Sequence, residues 1–332
     1  MAGAVLSALT SPVPATAAPH ALHDPARTWP LTSCYADLWI ELLHGAGLDP
    51  APALGFTACI EWDGDQFTFL KPDAADLDAL YGLRVQELAL WEEAEGHVAV
   101  QLAQGRPVLI EVDAAHLPDL AGGAYGREHS KTTIAIVGLD ARARRCSYIH
   151  NASRAVLEGG DYDAVLRAPR SGEGFPLPPY AEVVKRRPDP GARQEPREAA
   201  LGLLRAHLAR RGGTAQVPRF RAAFPRQLDA LLARPAGFHP WAFNTLRQLG
   251  GGAGLLGGLL EWIEARDPRG LGALAATAAD LAAGAKALQF RVARLVARRR
   301  ADNGRADSCA DLLDALEADE AALVAGLEAR LA

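Results

Sequence analysis

Thr32-Ser33-Cys34-Tyr35-Ala36-Asp37-Leu38-Trp39-Ile40-Glu41-Leu42-Leu43-His44-Gly45 is the stretch on which the fold turns. Leu38 and Leu42, with Trp39 and Leu43 beside them, recur at the three- and four-residue steps that line one face of a helix. Thr32 or Ser33 stands where an N-cap belongs, and Gly45 or Gly47 where the helix ends. Cys34 therefore opens the predicted helix. A helix N-terminus carries partial positive charge, which favours the thiolate, and the thiolate is the nucleophile. By position alone a buried, inert cysteine is the commoner outcome.

Outward from this helix the pattern is mixed. Residues 1–30 are Pro-rich and irregular. Residues 56–62 alternate and 66–70 would return across the turn Asp63-Gly64-Asp65, which predicts a hairpin. A short helix is expected over 73–81 and another over 92–103, with 83–90 ambiguous. Residues 107–112, 131–139 and 145–150 read as strands, while the Gly-Gly, Pro-rich and acidic pieces of 151–185 read as loop with one short strand or helix. A helix packed on a sheet of hairpins is an α+β arrangement. Residues 186–196 hold three prolines and a run of charges, as a linker does. Beyond them 198–211, 219–233, 241–250, 254–265, 271–300 and 306–331 are Ala/Leu/Arg/Glu-rich with helical spacing and no fixed repeat. The expectation is an α+β domain over 1–190 and an all-helical domain over 191–332.

With 332 residues there is room for two ordinary domains, and 49% hydrophobic residues supply their cores. The net charge of -5 argues against a nucleic-acid partner. The Arg-rich stretch 291–305 is followed by acidic segments and reads as a solvated helix face. Cys34, Cys59, Cys146 and Cys309 show no CxxC pair, so no metal site is expected, and so few cysteines fit a reducing cytoplasm. The first residues carry an Ala-x-Ala run, but no Lys or Arg precedes the apolar stretch and Pro12 and Pro14 interrupt it, unlike a secretory leader. No apolar run approaches the roughly 20 residues of a membrane span; 249–260 ends at Glu261. The expectation is a cytoplasmic protein with no membrane partner.

A thiol enzyme needs a base near sulfur and a group that orients the imidazole. His129 stands just before the predicted 131–139 strand and Asn151 just after the next one, and neighbouring strands can place them side by side. Separately they read as a loop histidine and a turn asparagine. In the order Cys, His, Asn they form a candidate triad. His150, His97, His20 and His23 compete for the base. His150 would face the opposite side of its strand, His97 reads as structural, and His20 and His23 precede the cysteine. Asp113 and Asp119 flank the loop to His129, and Asp113 could orient a base or a substrate amine. Glu61, Asp63 and Asp65 form an acidic turn without calcium-loop spacing. Lys131 and Arg127 could meet an anionic group. The Cys34 backbone N–H is a natural oxyanion donor. No Gln occurs in 24–33, so Thr32, Ser33 or Trp29 would supply the second.

Trp29-Pro30-Leu31-Thr32-Ser33-Cys34-Tyr35-Ala36-Asp37-Leu38-Trp39-Ile40-Glu41, Gly64-Asp65-Gln66, Glu111-Val112-Asp113, Leu117-Pro118-Asp119 and Glu128-His129-Ser130-Lys131-Thr132-Thr133-Ile134 resemble the bacterial family named domain of unknown function 1839. Phe238-His239-Pro240-Trp241-Ala242-Phe243, Leu246-Arg247-Gln248-Leu249-Gly250 and Ala285-Lys286-Ala287-Leu288-Gln289-Phe290 extend the resemblance over nearly the whole chain after residue 18. Ser33 departs from the family's Asn, and His129 lies nine residues before Gly138. The first half is more distantly similar to butirosin-type acyltransferases and to papain-like bacteriocin-processing peptidases. The resemblance implies a papain-like cysteine domain over 1–190, an acyl-Cys34 intermediate, an acyl or aminoacyl carrier protein presenting a phosphopantetheine thioester as substrate, and a small amine acceptor. It implies no other cofactor. Trp29, Ser33, Asp37, Asp113, Lys131, His239 and Arg247 are the expected substrate-binding residues. A hydrolase of the same architecture and a non-catalytic module that docks a carrier protein are the alternatives. Phe238, His239, Trp241 and Arg247 would line a pocket or simply a helix packing seam.

Overall fold

A computed structural model of the chain describes Leu9 and residues 18–167, 178–187, 195–212, 215–298 and 307–331. The leader-like stretch apart from Leu9, most of the expected linker and the end of the Arg-rich stretch lie outside these residues. The chain forms two compact units. One comprises 1–21, 34–50 and 72–193; the other comprises 22–33, 51–71 and 194–332. The chain thus changes unit several times before residue 72.

The first unit is α+β. Helix α1 spans Cys34–Gly45 and α2 spans Ala74–Tyr81, capped by the Asp73 side chain and by Gly82 at φ 66°. Strand β1 is Leu83–Leu88, α3 is Ala94–Ala103, β2 is Val108–Asp113, β3 is Lys131–Asp140, β4 is Arg145–His150, β5 is Ser153–Glu158, α4 is Gly159–Leu166 and β6 is Ala181–Arg186. The strands form one antiparallel sheet in the order β1-β6-β2-β3-β4-β5.

The register separates two faces, because paired residues share a side of the sheet. Glu182, Leu109, Ala135, Ile149 and Arg154 form one row; Val183, Val108, Ile136, Tyr148 and Ala155 form the adjacent row on the other side. Helix α1 lies over β3 and β4 on the first face, where Tyr35 bonds Glu182 and Arg154 bonds Glu41. The second face is closed by α3, α4 and the 3-10 turns Ala114–His116 and Pro118–Leu120, with Val98, Leu117, Ile134, Ile136, Cys146, Tyr148 and Tyr162 buried together.

Residues 151–185 hold more order than a loop reading allows. Asn151 and Ala152 make a two-residue hairpin turn between His150 and Ser153, with Asn151 at φ 48°, a left-handed value that Asn tolerates. The β6 residues Ala181 to Val184 are all buried, because β6 lies inside the sheet between β1 and β2. The ambiguous 83–90 segment contributes an edge strand.

The second unit is helical: α5 Pro196–Arg210, α6 Gln216–Ala233, α7 Phe238–Ala242, α8 Gln248–Glu264, α9 Gly272–Arg298 and α10 Ala310–Leu331, with a π-helical turn Phe243–Arg247 leading into α8. The hairpin expected over 56–70 is reduced to its tip: Asp63 N–H donates to the Gln66 carbonyl at 2.8 Å across the expected turn, and Thr68 N–H to the Glu61 carbonyl at 2.9 Å. Ala51–Cys59 is a 3-10 run, and residues 62 and 67 make a lone bridge. Its residues through Ala58 are buried without alternation, and small side chains let it lie against α5: a Cβ on Gly55 would come 3.4 Å from the Leu204 nitrogen. The helices expected over 241–250 and 254–265 are joined, since α8 continues through Gly250, Gly251 and Gly252. Among the described residues no helix is long and apolar enough to cross a membrane.

Candidate functional site

Cys34 is the first residue of α1, half-buried and free of any disulfide. Burial pushes Cys146 up to about 12 and raises Cys309, and it raises Cys59 with help from the Glu61 charge. Beside Cys34, Tyr35 donates its hydroxyl to Glu182 Oε2 at 2.5 Å, and Tyr180 donates to Oε1 at 2.8 Å. Glu182 is buried, so both its oxygens are satisfied by phenols. Burial and then the carboxylate raise Tyr35, and the same causes push Tyr180 up to about 12.

Further along the same face of β2 come Glu111 and Asp113. Lys131 Nζ donates to Glu111 Oε1 at 2.7 Å. His129 Nδ1–H donates to Asp113 Oδ2 at 2.5 Å, while Asp113 Oδ1 accepts from the backbone of Ala115 and Ser130. Burial works against the Asp113 charge, but the His129 and Ala115 bonds hold its carboxyl below the ordinary value. The His129 ring is 79% exposed. The hydrogen-bond partner of its ring is Asp113, and Asn151 is bonded to His150 instead. Among the described residues, neither His129 nor the Asn151 amide is hydrogen-bonded to the Cys34 thiol.

Asn151 turns toward the other face. His150 is buried there; its Nδ1–H donates to Asp119 Oδ2 at 2.7 Å. Its Nε2 accepts from Thr132 Oγ1 at 2.9 Å and from Asn151 Nδ2 at 3.2 Å. Tyr148 donates to Asp119 Oδ1 at 2.6 Å. His150 therefore faces away from α1, and the Asn151 side chain lies on the same side as His150 rather than opposite it.

Asp37 is wholly buried in the first turn of α1. Trp29, Ser33, His239 and Arg247 belong to the second unit. Ser33 donates its hydroxyl to the Leu70 carbonyl at 2.7 Å. Trp29 Nε1 donates to the Ala282 carbonyl at 2.9 Å, with Lys286 and Arg247 over its ring. His239 is exposed and packs edge-on against Phe238. Of the competing groups, the His20 backbone N–H bonds Glu41, His23 bonds the Pro30 carbonyl, and His97 Nε2 accepts from the Trp91 backbone. Asp63, Asp65 and Arg127 are exposed. The sequence did not single out Glu182, which lies in a segment read as loop with one short strand or helix, or Arg154, which reaches Glu41; a polar residue within the apolar run of 181–184 was the available signal.

A sheet unit with a thiol at the start of its covering helix, followed by a helical unit, is the class of protein that this geometry defines. The chain belongs to the DUF1839 family: the profile of the DUF1839 N-terminal domain matches residues 18–186 and that of the DUF1839 C-terminal domain matches 193–329. No curated protein sequence matches it.

Proposed function

We propose that the protein is a thiol acyltransferase that takes an acyl or aminoacyl group from a carrier-protein thioester to a small amine through an acyl-Cys34 intermediate. The observation that carries this reading is the position of Cys34 as the first residue of α1, on the sheet face that also presents the Asp113–His129 pair. The Cys34 sulfur attacks the thioester carbonyl; a new S–C bond forms, the bond to the carrier's phosphopantetheine sulfur breaks, and that sulfur leaves with the proton. The amine nitrogen then attacks the acyl-enzyme, His129 takes its proton, and the Cys34 thiol is restored. Asp113 orients the imidazole, and catalytic hydrogen bonds often tighten only with substrate bound. Backbone N–H groups at the start of α1 face the oxyanion. Lys131 meets the phosphate of the carrier arm.

The test is intact mass spectrometry after mixing the protein with a charged carrier protein. An acyl mass increment on Cys34 that an added amine discharges, absent from Cys34→Ala, is the expected result. An increment that water alone removes equally fast makes the protein a hydrolase. No increment on Cys34 in a chain that still binds the carrier makes it a docking module. Either outcome overturns the transferase reading.

A further inference from the structure

On the sheet face away from α1, carboxylate, imidazole and hydroxyl stand in series. Asp119 Oδ2 accepts from His150 Nδ1 at 2.7 Å, and Thr132 Oγ1 donates to His150 Nε2 at 2.9 Å. This is the order and reach of a hydroxyl-nucleophile triad, recognised by geometry and not by sequence order. The three groups come from separate elements: the 3-10 turn Pro118–Leu120, strand β4 and strand β3. Asp119 fixes the tautomer, since an ionised carboxylate only accepts, so Nε2 keeps its lone pair toward Thr132. Tyr148 holds the second oxygen of Asp119, leaving the carboxylate no freedom to turn. The Asn151 amide at 3.2 Å from Nε2 adds a polar N–H beside the hydroxyl, where an oxyanion donor is needed.

We propose that Thr132 is a second nucleophile of this protein, with His150 as its base and Asp119 as the positioning residue, acting on small esters or thioesters. Thr132 is 7% exposed and directly follows the exposed segment 127–131, from which a substrate would approach. Thr132 Oγ attacks the acyl carbon and its proton passes to His150 Nε2. The C–O or C–S bond to the leaving group breaks, and the leaving group takes that proton. Water then attacks the acyl carbon of the Thr132 ester and gives a proton to Nε2; the bond from that carbon to Oγ breaks, the carboxylic acid leaves, and the proton on Nε2 returns to Oγ to restore the Thr132 hydroxyl. The site does not depend on the Cys34 reading, because the nucleophiles lie on different peptides.

Diisopropyl fluorophosphate, which replaces fluoride by the attacking hydroxyl, is the probe for the full-length chain. A single phosphoryl adduct mapping to the peptide that bears Thr132 is expected. It persists in Thr132→Ser, vanishes in Thr132→Val, and forms about 100-fold or more slowly in His150→Gln, the size of a general-base effect. Thermal unfolding establishes that each variant is folded. The wild-type adduct and the Thr132→Ser variant keep the test decisive if the other two do not fold. No adduct on the wild-type chain, or an adduct on any other residue, overturns the proposal and leaves the trio a purely structural clamp.

Discussion

Glu41 and Arg154 show how far one residue's meaning depends on its partner. Glu41 is wholly buried in α1; it accepts from the His20 backbone at 2.7 Å and lies 3.3 Å from Arg154 Nη2, whose side chain is 7% exposed. Removing one member of such a pair strands a charge away from water. Arg154→Met is expected to cost about 3–5 kcal/mol in urea denaturation, and Arg154→Met with Glu41→Leu to recover most of it. Equal stability of wild type and single variant would show that the pair does not constrain the fold. The sequence offered Asp113, His129 and Asn151 as chemistry-bearing residues, but not who meets whom. Those pairings follow from the register that sets Asp113 opposite Lys131 and turns His150 away from α1. Asn151 occupies a turn position at positive φ, because two residues must close the β4–β5 hairpin, and from there its amide meets His150.

Among the elements, α8 is where local propensity and packing disagree. Three successive glycines weaken a helix, and this led sequence reasoning to break it near 250. Packing explains their place: a Cβ on Gly250 would lie 2.5 Å from Trp29 Nε1 and 2.9 Å from Ala285 Cβ, while at Gly254 the nearest atom is Ala282 Cβ at 4.0 Å. The same substitution should therefore act with opposite sign at the two sites. Gly250→Ala is expected to destabilise by about 1–3 kcal/mol through overpacking against the rigid indole. Gly254→Ala should stabilise by up to about 1 kcal/mol through helix propensity. Thermal and urea midpoints of both variants decide it, and a stabilised Gly250→Ala would refute the packing account. The helices with strong periodicity were legible from sequence, as were β2, β3 and β4. The 3-10 run Ala51–Cys59 and β6 were not, since continuous burial erases the alternation that marks a half-buried strand.

Across the molecule, the first unit joins tyrosines to carboxylates repeatedly: Tyr35 and Tyr180 to Glu182, Tyr148 to Asp119, Tyr162 to Glu95 and Tyr125 to Asp161. Burial first, and then the acceptor charge, raises the first four; the Asp161 bond raises Tyr125. With folded values raised, the unfolded chain loses its phenolic protons first. That stability is fully present below about pH 10, the ordinary tyrosine value, and is lost progressively as pH rises from there through the raised folded values. Urea midpoints should fall across that range while tyrosinate absorbance stays low until the protein unfolds. Tyrosinate developing in the folded state at an unchanged midpoint would contradict this. The interleaving of the two units has a consequence for biosynthesis. Residues 22–33 and 51–71 leave the ribosome early, yet the rest of their unit begins only at Gln194. At translation rates of about 5–20 residues per second, these apolar segments wait roughly 6–25 s for their partners. Throughout that interval Trp29, Ile60, Phe67 and Leu70 are open to chaperones, which gives the nascent chain a vulnerability that the finished protein does not have.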